Sequence, residues 1–399
     1  MTVRSTDLIH HPYEAPQGFR SVVPAVHKAS TVIFPDTAAL ATTQWKDKSG
    51  YTYGLHGTPT TFTLEERLAT LEGGHQALLA PSGLSALALV NQSLLRAGDE
   101  VLLPDNAYGP NKDLVRAELA HWGVRHAFYN PLDAADLAAR ITPATRLVWL
   151  EAAGSVTLEF PDLDGLLAVC RQHPRIVAAL DNTWGAGLAF QPFELGLPDR
   201  HGSRGVDLTV HALTKYPSGG GDVLMGAVVT RDEALHHQLK MSHMRFGLGV
   251  SGNDAEFILK GLSSIHVRYA AHDAATRHVT AWLLQQTAFS QVLHPALPDA
   301  PGHAHWLRHC RSAAGLVSMV FEADDWPQSR VHAFVDRLRL FKIGYSWGGP
   351  MSLVMPYGLT GMRQFGALAD HTGTLVRLSI GLEQPDDLIA DLSQALALS

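Results

Sequence analysis

Between residues 76 and 213 the chain alternates short apolar runs with longer segments that are apolar on one side. The short runs are of strand length, whereas the longer segments repeat their apolar residues with the helical period. The predicted strands are 76–80, 100–103, 125–129, 146–150, 176–180 and 206–213, and the predicted helices are 83–96, 111–120, 133–140 and 162–172. Strands that alternate with helices favour right-handed crossovers and a mostly parallel sheet with helices on its faces.

The segment before this region has another pattern. Residues 1–60 contain many prolines and glycines and little periodicity, which predicts an extended arm that packs on another surface. Thr63 and Glu66 form a capping-box pattern, which predicts a helix from residue 63 to about residue 71 that ends at two glycines.

After residue 250 the pattern is that of a smaller α+β unit. Its predicted elements are a long helix at 253–286 with a break near 262–264, strands at 318–322 and 375–380, and a helix at 329–340. The whole pattern predicts an α/β fold with an arm at 1–60, a large domain at 61–250 and a small C-terminal domain at 251–399.

Composition and charge narrow the possible partners. The chain has 399 residues, of which 46% are hydrophobic and 17% charged, as in ordinary globular enzymes. A net charge of −7 provides no basic surface for nucleic acid or anionic lipid. The longest uncharged run, 77–95, is interrupted by proline, glycine and amide residues, so it predicts buried interior and not a membrane span.

The remaining global signals favour a cytoplasmic protein without a metal. Cys170 and Cys310 are far apart and fit no zinc spacing, which predicts unpaired thiols. The N-terminal residues lack the hydrophobic core of a secretion signal. Histidine is abundant, but HExxH is absent, and pairs such as His10 and His11 have no ordered set of ligands around them.

The first candidate for chemistry is Lys215. It follows the predicted strand 206–213 and precedes three consecutive glycines at 219–221, which allow a ligand to approach the backbone. Lysine is the side chain that condenses with carbonyls to form Schiff bases, and burial lowers its pKa readily. The residue is therefore either the lysine of a pyridoxal phosphate (PLP) enzyme or a surface lysine before a turn.

Three further features fall at the carboxyl ends of predicted strands, where parallel sheets bind ligands. Ser82 and Gly83 lead from a strand into a helix, whose free N–H groups suit a phosphate. Asp181 follows strand 176–180 and could keep a pyridine nitrogen protonated, and Tyr108 could stack on such a ring. Each has an ordinary alternative, since Asp181 could cap a turn, Tyr108 could be core, and Ser82 with Gly83 could form a plain loop.

A GxGxxG sequence at 247–252 is typical of dinucleotide binding only when it follows a strand. Here it follows a charged segment with helical character, so NAD binding is not predicted.

The combined motifs resemble those of the Cys/Met-metabolism PLP enzymes, which have fold type I, over nearly the whole chain. The motifs are LEGG at 71–74, SG at 82–83, NAY at 106–108, DNTW at 181–184, TK at 214–215, YSWGG at 345–349 and RLSIGLE at 377–383. Within the family the likeness is greatest to β-lyases that cleave cystathionine.

The resemblance implies a role for each matching residue. Lys215 would be the Schiff-base lysine and proton shuttle, Asp181 the partner of the pyridinium nitrogen, and Tyr108 the stacking ring. The implied cofactor contacts also include Ser82, Gly83, Leu84, Thr183, Thr214 and, from a neighbouring subunit, Tyr53. The implied substrate contacts are Arg377, which would grip the α-carboxylate with its planar fork, Ser346, Trp347 and Tyr53.

Two positions depart from the family pattern. The family has Tyr-x-Arg in the arm, where the arginine reaches a neighbour's phosphate, but here Tyr53 is followed by Gly54 and Leu55, with His56 next. Met351 stands where the family commonly has glutamate. The missing arginine leaves open which residues contact the phosphate. The missing glutamate leaves open which substrate is bound.

The resemblance implies β-elimination from L-cystathionine or another cysteine S-conjugate, giving a thiol, pyruvate and ammonia, in methionine biosynthesis by transsulfuration. It also implies a homotetramer built from paired dimers, because Tyr53 would complete a neighbour's site. Two alternatives remain, a γ-acting member of the family (γ-synthase, γ-lyase or O-acylhomoserine sulfhydrylase) and a non-catalytic regulator that keeps the PLP fold.

Overall fold

The computed structural model describes residue 18 and residues 20–196 and 205–399 of the chain. His10, His11 and the first part of the predicted arm lie outside the described residues. Seven strands in the described part form one sheet, with the order β1-β7-β6-β5-β4-β2-β3. They are β1 (Gln76–Ala80), β2 (Glu100–Pro104), β3 (Arg125–Tyr129), β4 (Thr145–Glu151), β5 (Val177–Asp181), β6 (Leu208–Ala212) and β7 (Gly226–Thr230).

The predicted mostly parallel sheet is confirmed. Strands β2 to β6 run parallel to one another. Strand β7 lies between β1 and β6 and is antiparallel to both. The sequence analysis missed β7, because a five-residue apolar run after a glycine-rich stretch carries little periodic signal.

Helices connect and cover these strands. In the described residues they are α1 (Thr37–Thr42), α2 (Pro59–Glu72), α3 (Gly83–Leu94), α4 (Gly109–Leu114, continued by a π turn at Val115–Leu119), α5 (Ala134–Arg140), α6 (Leu163–Arg171), α7 (Glu233–Phe246), α8 (Gly252–Leu262), α9 (Ile265–Leu283), α10 (His303–His309), α11 (Gln328–Asp336) and α12 (Pro385–Ala397). The predicted break near 262–264 separates α8 from α9. The GxGxxG sequence joins two helices, as expected, with Gly247 ending α7 in a left-handed conformation.

The predicted start of α2 at residue 63 is wrong. The helix begins at Pro59, and the capping box is formed by Thr58 and Thr61. Proline is favoured in the first turn of a helix because its missing N–H would have no partner there. Thr63 instead donates its hydroxyl to the Pro59 carbonyl from within the helix.

Both faces of the large sheet are buried, as is usual for parallel strands. Along β4, Val148 and Leu150 point into a core that contains α2, α6, α8 and the start of α9. Leu147 and Trp149 point into the opposite core, which contains α3, the end of α4 and α7. The carboxyl ends of β4 to β6 consequently open at one edge between two helical layers.

A second, smaller sheet with the order β10-β11-β12-β9-β8 follows in the described residues. Its strands are β8 (Gln291–Leu293), β9 (Leu316–Phe321), β10 (Lys342–Ile343), β11 (Leu353–Gly358) and β12 (Thr374–Ser379). Helices α9, α11 and α12 cover one face, and the other face contacts the loop after β4, where the Ser318 hydroxyl donates to the Val156 carbonyl at 2.7 Å. The smaller α+β domain is confirmed, while the proposed boundaries at residues 60 and 250 stay predictions.

The structure also shows the state of the two cysteines and the character of the helices. Cys170 and Cys310 are buried and unpaired, as predicted. None of the helices in the described ranges combines the length and apolar character that crossing a membrane requires.

Asp105, at the end of β2, ties the loop before Tyr108 to the C-terminal part of the chain. Its carboxylate lies 3.2 Å from the buried Lys112 ammonium and accepts the backbone N–H of Gln364 at 2.6 Å. We expect Asp105→Asn to lower the free energy of unfolding by about 3 kcal/mol, because Lys112 would remain buried without its counter-charge. Urea denaturation measures this change.

Asp113→Asn is the matched control, because that carboxylate is 77% exposed and lies 3.9 Å from Arg116. Its effect should stay within about 0.5 kcal/mol. Equal effects of the two substitutions would show that the Asp105 contacts do not stabilise this loop.

Candidate active site

The carboxyl edge of the large sheet brings together the segments that the sequence analysis selected. Asp181 is the last residue of β5, and Lys215 follows the end of β6 by three residues. Ser82 caps α3 by accepting the N–H of Ser85. A Cβ on Gly83 would lie only 2.5 Å from the Cβ of Ala212, so the start of α3 can approach β6 because residue 83 is glycine.

The amine of Lys215 lies between the two residues of the second domain that were predicted to bind substrate. Its Nζ donates to the Ser346 hydroxyl at 2.8 Å and lies 5.4 Å from the centre of the Trp347 ring. Burial lowers the pKa of Lys215 to about 8, and the charge of Arg377 acts in the same direction. Much of this amine is therefore neutral at a pH slightly above 8, as a base or nucleophile requires.

Asp181 is held in place by Thr183. Its Oδ1 accepts both the backbone N–H of Thr183, at 3.0 Å, and the Thr183 hydroxyl, at 2.6 Å. The same hydroxyl oxygen accepts the backbone N–H of Ala212 at 2.9 Å, which fixes the ends of β5 and β6 to each other. Burial raises the pKa of Asp181, while the two hydrogen bonds from Thr183 oppose that shift.

Glu151 is a site residue that the sequence analysis missed. It is paired with Asp181 across β4 and β5, and its Oε2 accepts the backbone N–H of Tyr108 at 2.7 Å. Burial raises the pKa of Glu151 well above its usual range, and the charge of Asp181 adds to this. The sequence contains a signal for Glu151, because it is an acidic residue directly after the apolar run 146–150. That run forms the strand next to the one that ends in Asp181.

Arg377 approaches the same region from the second sheet. It lies on β12 and is only 7% exposed. One guanidinium nitrogen, Nη2, donates to the Ser346 carbonyl at 3.2 Å, whereas Nε is buried and has no hydrogen-bond partner among the described residues. Ser346 thus contacts both Lys215 and Arg377, and its φ of 95° is a strained value that functional sites often contain.

The remaining predicted residues line the edge of this region. Tyr108 precedes α4, and its ring is 42% exposed. Leu84 lies in the first turn of α3 with an exposed side chain, and Thr214 directly precedes Lys215. Met351, at the position of the family glutamate, is also exposed.

Tyr53 is not brought into this site within one chain. Its hydroxyl accepts a hydrogen bond from Ser30 at 3.1 Å, and its backbone forms a bridge with Thr31. His56 is also engaged locally, stacked on Trp45 at 4.1 Å and bonded to the Thr52 hydroxyl at 2.8 Å. These contacts argue against His56 as the replacement for the family arginine.

Comparison with known proteins agrees with the geometry. The family model described as Cys/Met metabolism PLP-dependent enzyme matches residues 5–397. The chain belongs to this family. The resemblance inferred from the motifs is therefore confirmed.

Relatives within the family differ in their reactions. The chain is 40% identical to cystathionine β-lyase of Bordetella avium over 92% of this chain and 90% of that protein. It is 33% identical to an L-alanine/L-glutamate racemase of Wolbachia pipientis over 94% of this chain and 93% of that protein. A crystal structure of cystathionine γ-synthase from Xanthomonas oryzae in complex with cystathionine matches with a TM-score of 0.82 and 29% identity over 94% and 93% of the two chains.

The cofactor of this PLP-dependent family is pyridoxal 5'-phosphate, and the residues at the sheet edge fit it. The cofactor needs an amine for its aldehyde, a carboxylate for its ring nitrogen and N–H donors for its phosphate. Lys215, Asp181 and the first turn of α3 offer these three groups at one edge. The free Nε of Arg377 adds a buried donor for an anionic substrate group.

The pKa of Lys215 predicts how the cofactor-free protein takes up PLP. Because burial depresses that pKa to about 8 from the ordinary 10.5, the neutral amine should accumulate as the pH rises through 8. We expect the rate of PLP uptake, followed by rapid-mixing absorbance, to rise about tenfold per pH unit below 7.5 and to level off near pH 9. A rate that continues to rise to pH 10.5 would contradict a depressed pKa.

Proposed function

We propose that this family member is a carbon–sulfur β-lyase that releases homocysteine, pyruvate and ammonia from L-cystathionine or the corresponding thiol from another cysteine S-conjugate. The observation that carries the proposal is the position of the Lys215 amine, between Ser346 and the Trp347 ring, with Arg377 bonded to the same serine. The likeness to the Bordetella cystathionine β-lyase supports it. Such an enzyme would act in methionine biosynthesis.

In this proposal each contact to PLP has an assigned residue. Lys215 binds the aldehyde, Asp181 pairs with the ring nitrogen, and Tyr108 stacks on the ring, while Thr183 keeps Asp181 oriented. The phosphate is received at the start of α3. The residues assigned to the phosphate are Ser82, Gly83, Leu84 and Thr214, joined by Tyr53 of a neighbouring subunit. The positive end of the α3 dipole and its free N–H groups favour a phosphate there.

The substrate is held by its two ends. Arg377 binds the α-carboxylate, because a guanidinium matches a carboxylate with two parallel hydrogen bonds and Nε is otherwise unpartnered. Ser346 holds both the arginine and the lysine, so the carboxylate and the α-carbon are placed in fixed relation to the base. The rest of the substrate would extend along Trp347 toward the exposed Met351.

Lys215 would then move the proton, once the substrate amine has replaced it at the aldehyde carbon of PLP. In its neutral form the freed amine would take the proton from the substrate α-carbon, and in its ammonium form it would deliver that proton to the departing sulfur. Bound PLP would supply a protonated ring that stabilises the electron pair left at the α-carbon. The carbon–sulfur bond breaks at the β-carbon, and one water completes the conversion of cystathionine to homocysteine, pyruvate and ammonia.

A γ-acting enzyme is the second candidate. It is favoured by the similarity to the Xanthomonas γ-synthase structure. Such an enzyme would consume an acylated homoserine and a thiol without forming pyruvate. A γ-lyase would instead form 2-oxobutyrate and cysteine from cystathionine.

A keto-acid assay separates these outcomes. Purified, PLP-loaded protein is incubated with L-cystathionine, and pyruvate, 2-oxobutyrate and free thiols are quantified by chromatography. We expect pyruvate and homocysteine in equal amounts. 2-Oxobutyrate with cysteine would overturn the β-specific assignment, and bound PLP without turnover of any thioether would favour the regulatory alternative. L-alanine in deuterated water, analysed on a chiral column, tests for racemisation.

We further propose that the active unit is at least a dimer in the cytoplasm, with a tetramer as the full assembly. The support is the exposed Tyr53, whose hydrogen bond with Ser30 and backbone bridge with Thr31 lie within its own arm. Sedimentation velocity of the PLP-loaded protein tests this proposal. A monomer with full activity would refute it.

A further inference from the structure

Glu72, the last residue of α2, is fully buried behind the carboxyl edge of the large sheet. Its Oε1 lies 2.9 Å from Nδ1 of His211 on β6, and neither side chain is exposed. Its other oxygen accepts a hydrogen bond of 2.7 Å from the side-chain amide of Asn182, which follows Asp181. One buried carboxylate is thus bonded to the ends of both β5 and β6.

Glu72 and His211 are connected to Asp181 by the hydrogen bonds of Thr183 and by electrostatic interaction. Thr183 donates its hydroxyl to Asp181 and accepts the backbone N–H of Ala212, the residue after His211. Burial is the main influence on the Asp181 pKa and raises it, the hydrogen bonds from Thr183 lower it, and the charges of His211 and Glu72 act in opposite directions. Both members of the pair therefore lie near Asp181, and their effects on its charge oppose each other.

Burying Glu72 and His211 costs more folding free energy than apolar side chains would at the same positions. Glu72 and His211 lie among apolar side chains, and buried ion pairs are often less stable than apolar residues of similar volume. In addition, Nε2 of His211 is buried and has no hydrogen-bond partner within the described residues. An unsatisfied buried nitrogen costs about 1–3 kcal/mol. A role in the site would explain why the pair is present.

The other ionisable groups around Asp181 are Glu151 on β4, Tyr108 before α4, Lys215 after β6 and Glu72 itself. The carboxylates of Glu151 and Glu72 disfavour a negative charge on Asp181, whereas the ammonium form of Lys215 favours it. Because these charges oppose one another, the position of Asp181 depends on the hydrogen bonds that hold the ends of β5 and β6.

We propose that Glu72 and His211 are positioning residues for Asp181, in which the Glu72 carboxylate, bonded to Asn182 and to His211, holds the ends of β5 and β6 so that Asp181 is placed against the ring nitrogen of PLP. The inference rests on the proposed role of Asp181. It assigns a function to the glutamate of the LEGG motif at 71–74 and to the histidine four residues before the lysine. Neither residue touches PLP or substrate in this proposal.

The test compares two probes that differ at one ring atom. Cofactor-free protein is titrated at pH 7.5 with PLP and with the carbon analogue that has C–H in place of the ring nitrogen, and dissociation constants are taken from absorbance and tryptophan fluorescence. We expect Glu72→Gln and His211→Asn each to weaken PLP binding about tenfold, which is the effect of weakening one charged hydrogen bond, because a displaced Asp181 pairs less well with the ring nitrogen. Binding of the carbon analogue should change less than twofold, because it has no ring nitrogen for Asp181 to pair with.

Two further variants distinguish a failure of this proposal from a failure of the role assigned to Asp181. His294→Asn replaces another buried histidine with an unpartnered Nε2, next to β8 of the second sheet, and should change neither constant. Asp181→Asn should show the same selective loss as the pair, with a larger magnitude. If Asp181→Asn is selective but Glu72→Gln and His211→Asn weaken both probes equally, or neither, the pair is only structural and the proposal is overturned.

If Asp181→Asn also lacks selectivity, the assigned role of Asp181 fails first. Glu72→Gln preserves side-chain volume and one acceptor, so it carries the test if His211→Asn does not fold.

Discussion

Replacement of Lys215 by alanine is expected to lower pyruvate formation from L-cystathionine by at least about a thousandfold. The variant loses both the amine that binds the aldehyde and the base that moves the proton, and a positioned acid–base group alone contributes about 10² to 10⁴ in rate. The Ser346 hydroxyl holds the Lys215 amine at 2.8 Å, and alanine provides no amine at this position. Single-turnover and steady-state assays with saturating PLP measure the loss.

The control for this prediction is Lys260→Ala. Lys260 lies in α8 with a largely exposed side chain and pairs with Glu256 one turn away, so its removal should leave the rate within twofold. Circular dichroism must show that Lys215→Ala is folded. Pyruvate formation above a few per cent of the unsubstituted rate would remove Lys215 from the proposed mechanism.

Replacement of Arg377 by alanine is the second large effect that we expect. Loss of one partner from a buried charged contact costs about 2–5 kcal/mol, which corresponds to a fall in kcat/KM of roughly thirtyfold to several thousandfold. Because the α-carboxylate is bound before and during the reaction, most of the loss should be in KM. Arg377→Lys keeps the charge but loses the planar fork, so it should recover only part of the activity.

Two comparisons make this result specific. Arg308→Ala removes an arginine whose side chain is 64% exposed and pairs with Asp164, and its kinetic constants should be unchanged. PLP affinity of Arg377→Ala should stay within a few fold, because the residue is assigned to the substrate. An unchanged KM with a greatly weakened affinity for PLP would show that Arg377 serves the cofactor instead.

Leu55 replaces the arginine of the family pattern, which changes the contacts that we expect for the phosphate of PLP. Leu55 packs toward Gly249 of its own chain, and His56 is fixed between Trp45 and Thr52. The phosphate contacts that we assign are therefore hydroxyl and backbone N–H groups, which donate hydrogen bonds without a full positive charge. With these contacts, we expect the start of α3 to contribute more to PLP affinity than in family members that have the arginine.

Much of the site could be predicted from sequence for a geometric reason. The alternation of strand and helix fixes a parallel sheet, and parallel strands bring their carboxyl ends to one edge. Asp181 and Lys215 were therefore expected at the same edge of the sheet, and Ser82 at the start of a helix on that edge. The break between α8 and α9 and the unpaired cysteines followed equally from local pattern.

Other features were decided only by tertiary structure. Ser346, in the loop between β10 and β11, meets Lys215 across 131 residues of chain, and Arg377 on β12 is bonded to the same serine. Glu72 and His211 meet across 139 residues. Strand β7 and the role of Glu151 likewise depend on strand order. Local periodicity encodes which residues form an element and which face is apolar. Contacts between distant segments depend on how the completed elements pack, and hence only the folded chain determines them.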